Sequence, residues 1–185
     1  MNLAIAAMII IILILVILVA RVILPISTII FTFPPSIPTE KRLINDIVDE
    51  IAKSEVKGKK FYDLGSGTGS VCFSLAKNFP SLKIIGIEKF RFIFQVSKMK
   101  QYYLKYKNVS LSNEDLFQTD LSKADYIFTF LTKSFLDKLQ IKIKQEAKPG
   151  CLIFSNNFPF DALPLYKKIT YPDLFTKRYL YIYKI

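Results

Sequence analysis

No histidine occurs in the 185 residues. Its absence removes imidazole metal sites, Ser-His-Asp triads and any histidine general base, and no metal is expected. Cysteine is scarce. Cys72 and Cys151 are the only two, fall on a predicted helix and a predicted strand, and read as reduced core residues of a domain in a reducing compartment. Internal repeats and low-complexity tails are missing, so one globular domain is the expectation for this length. The formal net charge of +11 raises the question of nucleic acid. The lysines are scattered, however, with no dense basic run and no aromatic ladder, so nucleic-acid binding is not expected.

Charge is also lacking at one place in particular. Leu3 to Ala20 holds no charged or strongly polar side chain. At about 1.5 Å per helical residue this covers most of a hydrocarbon core of about 30 Å. A cleaved signal peptide would need a basic n-region and a small-x-small site, and neither is present. Residues 1–33 are therefore expected to be a single-pass transmembrane helix with a juxtamembrane segment, and residues 34–185 the globular domain. The basic residues lie almost wholly C-terminal to the apolar run, beginning at Arg21, Lys41 and Arg42. The positive-inside rule puts that side in the cytoplasm, and the surplus charge suits anionic headgroups. The lipid bilayer is thus an expected partner.

Glycine is sparse, at six residues, yet three of them fall in Phe61-Tyr62-Asp63-Leu64-Gly65-Ser66-Gly67-Thr68-Gly69. An apolar run ends in an acid and breaks into alternating glycines. The pattern reads as a buried strand turning sharply into a helix, with backbone close to something small. The bland alternative is a tight turn or hairpin. The spacing is G-x-G-x-G, not the G-x-G-x-x-G of a dinucleotide fingerprint. A second apolar run ends at Glu88, 25 residues after Asp63, about where an α/β nucleotide fold sets a carboxylate on a ribose. A solvated strand-end Glu is the alternative. Val109 to Ser112 reads as a third strand, followed by Asn113-Glu114-Asp115-Leu116-Phe117. In such a fold this loop reaches an adenine, with Asp115, or else Glu114, accepting from its amine and Leu116 or Phe117 packing on the ring. A plain acidic turn fits as well.

The elements alternate. Thr39, a candidate N-cap, opens a helix with Leu43, Ile44, Ile47, Val48 and Ile51 on one face. Ser70 to Asn78 is a second helix. Arg91 to Lys105 is a third, with Phe94, Met99 and Tyr102 among its apolar positions. Ala124 to Leu131 is a fourth strand, Ser134 to Ala147 a helix, and Cys151 to Asn156 a fifth strand. Tyr166 to Tyr171 and Arg178 to Tyr183 are a final pair joined at Pro172-Asp173. Alternating β and α imply an α/β fold with a mostly parallel sheet covered on both faces, ending in an antiparallel strand.

Asp63-Leu64-Gly65-Ser66-Gly67-Thr68-Gly69 resembles motif I of the class I S-adenosylmethionine-dependent methyltransferases, which have a Rossmann-like sheet. The resemblance implies S-adenosyl-L-methionine as cofactor. It gives Asp63, Gly65, Ser66, Gly67 and Gly69 the methionine side, Glu88 the ribose, and Glu114, Asp115 and Leu116 the adenine. The apolar segment leading into Phe33-Pro34-Pro35-Ser36-Ile37-Pro38-Thr39, Asp120-Leu121-Ser122 before the fourth strand and Phe158-Pro159-Phe160 after the fifth narrow it. Together they resemble the small membrane-anchored lysine N-methyltransferases that modify the ATP synthase c subunit and the adenine nucleotide translocase. The chain departs from that family where Lys89-Phe90-Arg91 follows Glu88 and where Ser155-Asn156-Asn157-Phe158 replaces a more basic stretch.

Phe128-Thr129-Phe130-Leu131 stands where Asn-Pro-Pro-Tyr would announce a nucleic-acid amino-methyltransferase. The expected activity is transfer to a lysine of a membrane protein. A lipid or small amphiphile is a second acceptor class, and a non-catalytic cofactor-fold module a third reading. Free lysine is neutral about once in a thousand or less at pH 7, so burial and a nearby sulfonium must lower its pKa. Thr129, Asn156 and Asn157, at strand tips, are the candidate catalytic residues that could orient its lone pair; the asparagines also suit an ordinary turn.

Overall fold

The computed structural model describes residues 8, 10–21, 39–172 and 177–185. The chain divides into two compact units, Met1–Ile37 and Pro38–Ile185. In the first unit, α1 (residues 10–21) is helical. Its large side chains from Ile10 to Val19 all remain 48–59% exposed, so no face is covered. No helix among the described residues is long and apolar enough to cross a membrane. Of the predicted Leu3–Ala20 span, residue 8 and residues 10–20 are described and helical, while residues 3–7 and 9, with residues 22–33 and 34–38 of the approach, lie outside the described residues.

The second unit runs α2 (Lys41–Ala52), β1 (Lys60–Leu64), α3 (Ser70–Asn78), β2 (Lys83–Ile87), α4 (Arg91–Leu104), β3 (Val109–Ser112), β4 (Tyr126–Thr129), α5 (Lys133–Glu146), β5 (Leu152–Asn156), β6 (Leu165–Tyr171) and β7 (Arg178–Lys184). The strands form one seven-stranded sheet in the order β3-β2-β1-β4-β5-β7-β6. Every pair from β3 to β5 is parallel, and β7 runs antiparallel to both β5 and β6. The sheet is Rossmann-like, with the antiparallel end the sequence predicts.

The period-2 rule of strands builds the two core layers. Phe61, Tyr126, Phe128 and Phe154 point to the face covered by Leu43, Ile44, Ile47 and Ile51 of α2 and Val71, Cys72 and Leu75 of α3. Tyr62, Leu64, Ile127 and Ile153 point the other way, onto Leu136, Leu139 and Ile143 of α5. The central strands are buried on both sides, which explains their unbroken apolar runs. Both cysteines are free and buried.

Three local expectations need correction. Glu40, not Thr39, is the N-cap of α2, and it makes no side-chain cap bond. The fourth strand is shorter than predicted, because the Ala124 N–H turns back to the Leu121 carbonyl at 3.0 Å. In α4 the only buried residue is Ser97; Met99 and Tyr102 are 61% and 78% exposed. Periodicity identified that helix but not the face it turns to the sheet.

Candidate functional site

Strand order reverses between β1 and β4, the place where open α/β sheets bind ligands beyond their carboxyl ends. The glycine loop sits there and is sewn to the next strand. The N–H groups of Gly65 and Ser66 both donate to the Ile87 carbonyl at 2.9 Å, and that of Gly69 to the Ser66 carbonyl at 2.9 Å. Gly65, Gly67 and Gly69 all have positive φ, which explains the alternation. At Gly69 space is decisive too, since a Cβ there would stand 2.5 Å from the Phe73 ring. Gly69 is the N-cap of α3, whose first turn has no acidic residue and whose cap makes no side-chain bond. The positive end of the helix is left for an anion.

Glu88 follows the last residue of β2 and is 6% exposed. Its two oxygens accept from the Gly67 N–H at 2.9 Å and the Phe90 N–H at 2.8 Å. The carboxylate therefore ties the glycine loop to the start of α4, and each oxygen retains a lone pair. Asn113 adds a contact that sequence reasoning missed. Its side-chain amide donates to the Glu88 carbonyl at 2.7 Å and the Lys89 carbonyl at 2.9 Å. An amide immediately after a strand was the available signal.

Asp63 lies beneath the loop, 2% exposed, accepting from the Cys72 thiol at 3.3 Å. Burial is the main force pushing its pKa up to about 7; the Glu88 charge adds to this and the Cys72 bond opposes it. Burial, with the Asp63 charge, drives the Cys72 pKa up as well, so that thiol stays a donor. This Asp63–Cys72 pair was not foreseen.

The adenine candidates are engaged within the chain. Asp115 accepts from Lys89 Nζ at 2.9 Å and the Phe117 N–H at 3.0 Å, and these two bonds hold its pKa below the usual carboxylate range. Glu114 accepts from the Thr119 hydroxyl at 3.1 Å. Leu116 is buried in the core on the α5 side, and Phe117 stacks on Phe135 with centroids 6.2 Å apart.

The catalytic candidates share the same rim. Register pairs Leu64 with Thr129 and Thr129 with Ser155, so Thr129 and Asn156 end neighbouring strands beside the glycine loop. Asn157 takes a left-handed turn, with φ +70°, and its N–H donates to the Tyr179 carbonyl at 2.7 Å. The Ser155 hydroxyl closes the turn onto the Phe158 carbonyl at 2.6 Å. Among the described residues, the buried side-chain atoms without a hydrogen-bond partner are Ser66 Oγ and Thr129 Oγ1. Ser66 Oγ lies by Gly86 and the Cys72 sulfur, and Thr129 ends β4. An orphaned buried hydroxyl costs about 1–3 kcal/mol. No group of His, Cys, Asp and Glu suited to a metal occurs among the described residues.

A family profile described as the ANTKMT methyltransferase domain matches residues 63–167. A protein-lysine N-methyltransferase of Saccharolobus islandicus (strain REY15A) is 26% identical over 130 residues, covering 67% of this chain and 76% of the relative. An RNA methyltransferase from Salinibacter ruber, solved with S-adenosyl-L-homocysteine, superposes with a TM-score of 0.66 at 24% identity, over 80% of this chain and 94% of that one. Magnesium protoporphyrin IX methyltransferase from Synechocystis PCC 6803, solved with bound S-adenosylmethionine, gives a TM-score of 0.63 at 15% identity, over 78% and 79% of the two chains. At these identities the solved structures speak for the fold.

Proposed function

We propose, for a chain that belongs to the ANTKMT methyltransferase family, that the methyl acceptor is the side-chain amine of a lysine in a membrane-associated protein. The chain is an S-adenosylmethionine-dependent methyltransferase, and its relative in Saccharolobus islandicus is a protein-lysine N-methyltransferase. The observation that carries the reading is the rim at the strand reversal, where Glu88 ties the glycine loop to the start of α4 and Thr129 ends the neighbouring strand.

The residues present fit the cofactor. The uncapped N-terminus of α3 suits the carboxylate of its methionine part. Glu88 keeps lone pairs for the ribose hydroxyls. The loop of Glu114, Asp115 and Leu116 flanks the adenine end, with Lys89 holding Asp115 in place. The cofactor supplies a methyl group on a sulfonium. The chain's own residues must align the acceptor, because transfer to nitrogen depends chiefly on approach geometry. Thr129 Oγ1 and the side chains of Asn156 and Asn157 serve as acceptors that orient the lysine amine. No histidine is needed, since desolvation and the nearby cationic centre both favour the neutral amine.

The membrane part of the proposal is supported by α1. A helix apolar on every face, with no side covered, suits lipid. The basic residues on its C-terminal side support a single-pass orientation with the catalytic domain cytoplasmic. The test is incubation of membranes with the full chain and methyl-labelled cofactor. Label on protein lysines by mass spectrometry is the expected result. Label in extractable lipid would replace the acceptor, and label in neither fraction would refute catalysis on membranes.

A further inference from the structure

Helix α4 packs Ser97 against the sheet, with Ile93, Phe94 and Val96 half-buried, and presents Phe92 (74% exposed), Met99, Tyr102 and Tyr103 (75%) to solvent. Phe92, Met99 and Tyr103 are separated by seven and four residues, so they form one stripe along the helix. On a 3.6-residue turn, Arg91 and Lys98 border that stripe on one side and Lys100 on the other. From Lys89 to Lys107 the chain holds six basic residues and no acid. Lys89 is taken up by Asp115. Among the described residues none of Arg91, Lys98, Lys100, Lys105 and Lys107 has an acidic partner. Beside the C-terminal end of α4, a cavity of about 530 Å³ is lined by Lys77, Lys83, Lys105 and Lys107.

We propose that the outer face of α4 is a docking surface for an anionic lipid bilayer. Single exposed apolar side chains are ordinary, but several large ones on one face of a helix mark an interaction site. Cationic rims on both sides of an apolar stripe are the pattern of a helix lying in the headgroup plane. Tyrosine suits that depth, with its ring in the acyl boundary and its hydroxyl in water. The lack of any acid on this stretch gives charge complementarity to anionic headgroups. The site differs from the N-terminal apolar segment and is independent of the methyl acceptor.

The chain contains no tryptophan, so one substitution makes a site-specific probe. Met99→Trp places the reporter in the stripe at a position 61% exposed, where the larger side chain has room. Tyr166→Trp, 56% exposed on β6, is the comparison. Each full-length variant is reconstituted with vesicles of phosphatidylcholine alone, or with phosphatidylserine added. The Met99→Trp variant is expected to show a blue-shifted emission, quenched by brominated acyl chains, only with phosphatidylserine. About 1 M salt should reverse it, since the Debye length is then about 3 Å. The Tyr166→Trp emission should not move. The proposal is overturned if the Met99→Trp emission stays solvent-like on anionic vesicles, or if both reporters shift alike. A shift that grows with protein concentration without vesicles would also overturn it and make the face a contact between copies.

Discussion

Glu88 caps the Gly67 and Phe90 N–H groups, and in the proposed reading its remaining lone pairs take the ribose hydroxyls. Hydrogen bonds to a charged acceptor are worth about 1.5–3 kcal/mol each. Glu88→Ala should weaken S-adenosylmethionine binding at least about tenfold by calorimetry and lower thermal stability as the loop loses its tie. Unchanged affinity would remove Glu88 from the site. Asp63 gives a pH signature. Its folded pKa is raised from 3.8 to about 7. An acid with a raised folded value holds its proton more tightly folded than unfolded, so its contribution is fully present below the ordinary value. That contribution is lost as pH climbs from about 4 through about 7. The wild type should lose stability across that window, and Asp63→Asn should flatten the slope and be the more stable of the two near pH 8 in denaturant titrations. Parallel slopes would remove Asp63 as the source. Gly86 is a packing constraint of another kind, since an added Cβ would sit 2.7 Å from Leu111 Cδ2 and 2.9 Å from Cys72 Sγ. Gly86→Ala should cost about 1–3 kcal/mol of overpacking, read as a lowered urea midpoint at unchanged slope.

Elements divide into those whose inner face the pattern announces and those whose face it does not. In α2 the apolar residues are spaced for one stripe, and Leu43, Ile44, Ile47 and Ile51 are all buried. In α4 the apolar residues surround the helix almost evenly. Which of them faces the sheet is settled by the neighbours it must pack against. The stability test separates the two cases. Ile47→Ala should cost about 2–5 kcal/mol, whereas Met99→Ala should stay within about 0.5 kcal/mol, by chemical denaturation. A large loss at Met99 would show that its face is covered. Edge strands behave likewise. β6 is largely exposed, yet its last residue, Tyr171, donates its hydroxyl to Asp46 of α2 at 2.5 Å, a contact across 125 positions that no local pattern announces.

At the scale of the whole molecule, the second unit, Pro38–Ile185, is compact in itself. A chain beginning at Pro38 should bind S-adenosylmethionine with near-native affinity and methylate a soluble lysine peptide as the full chain does. It should label native membranes far more weakly, because an anchor works through effective concentration. Loss of cofactor binding on truncation would make the removed residues part of the pocket. The order of strands and helices, the glycine loop and Glu88 at the next strand tip were legible from the sequence. Each rests on local rules of periodicity, turn chemistry and spacing that act over a few residues. Which acid is buried, the Asp63–Cys72 pair, the Asn113 clamp, the orphaned hydroxyls of Ser66 and Thr129 and the outward face of α4 were decided by the tertiary structure. Those properties depend on what lies opposite a side chain once distant strands are in register, and burial, with the desolvation it brings, exists only in the folded assembly.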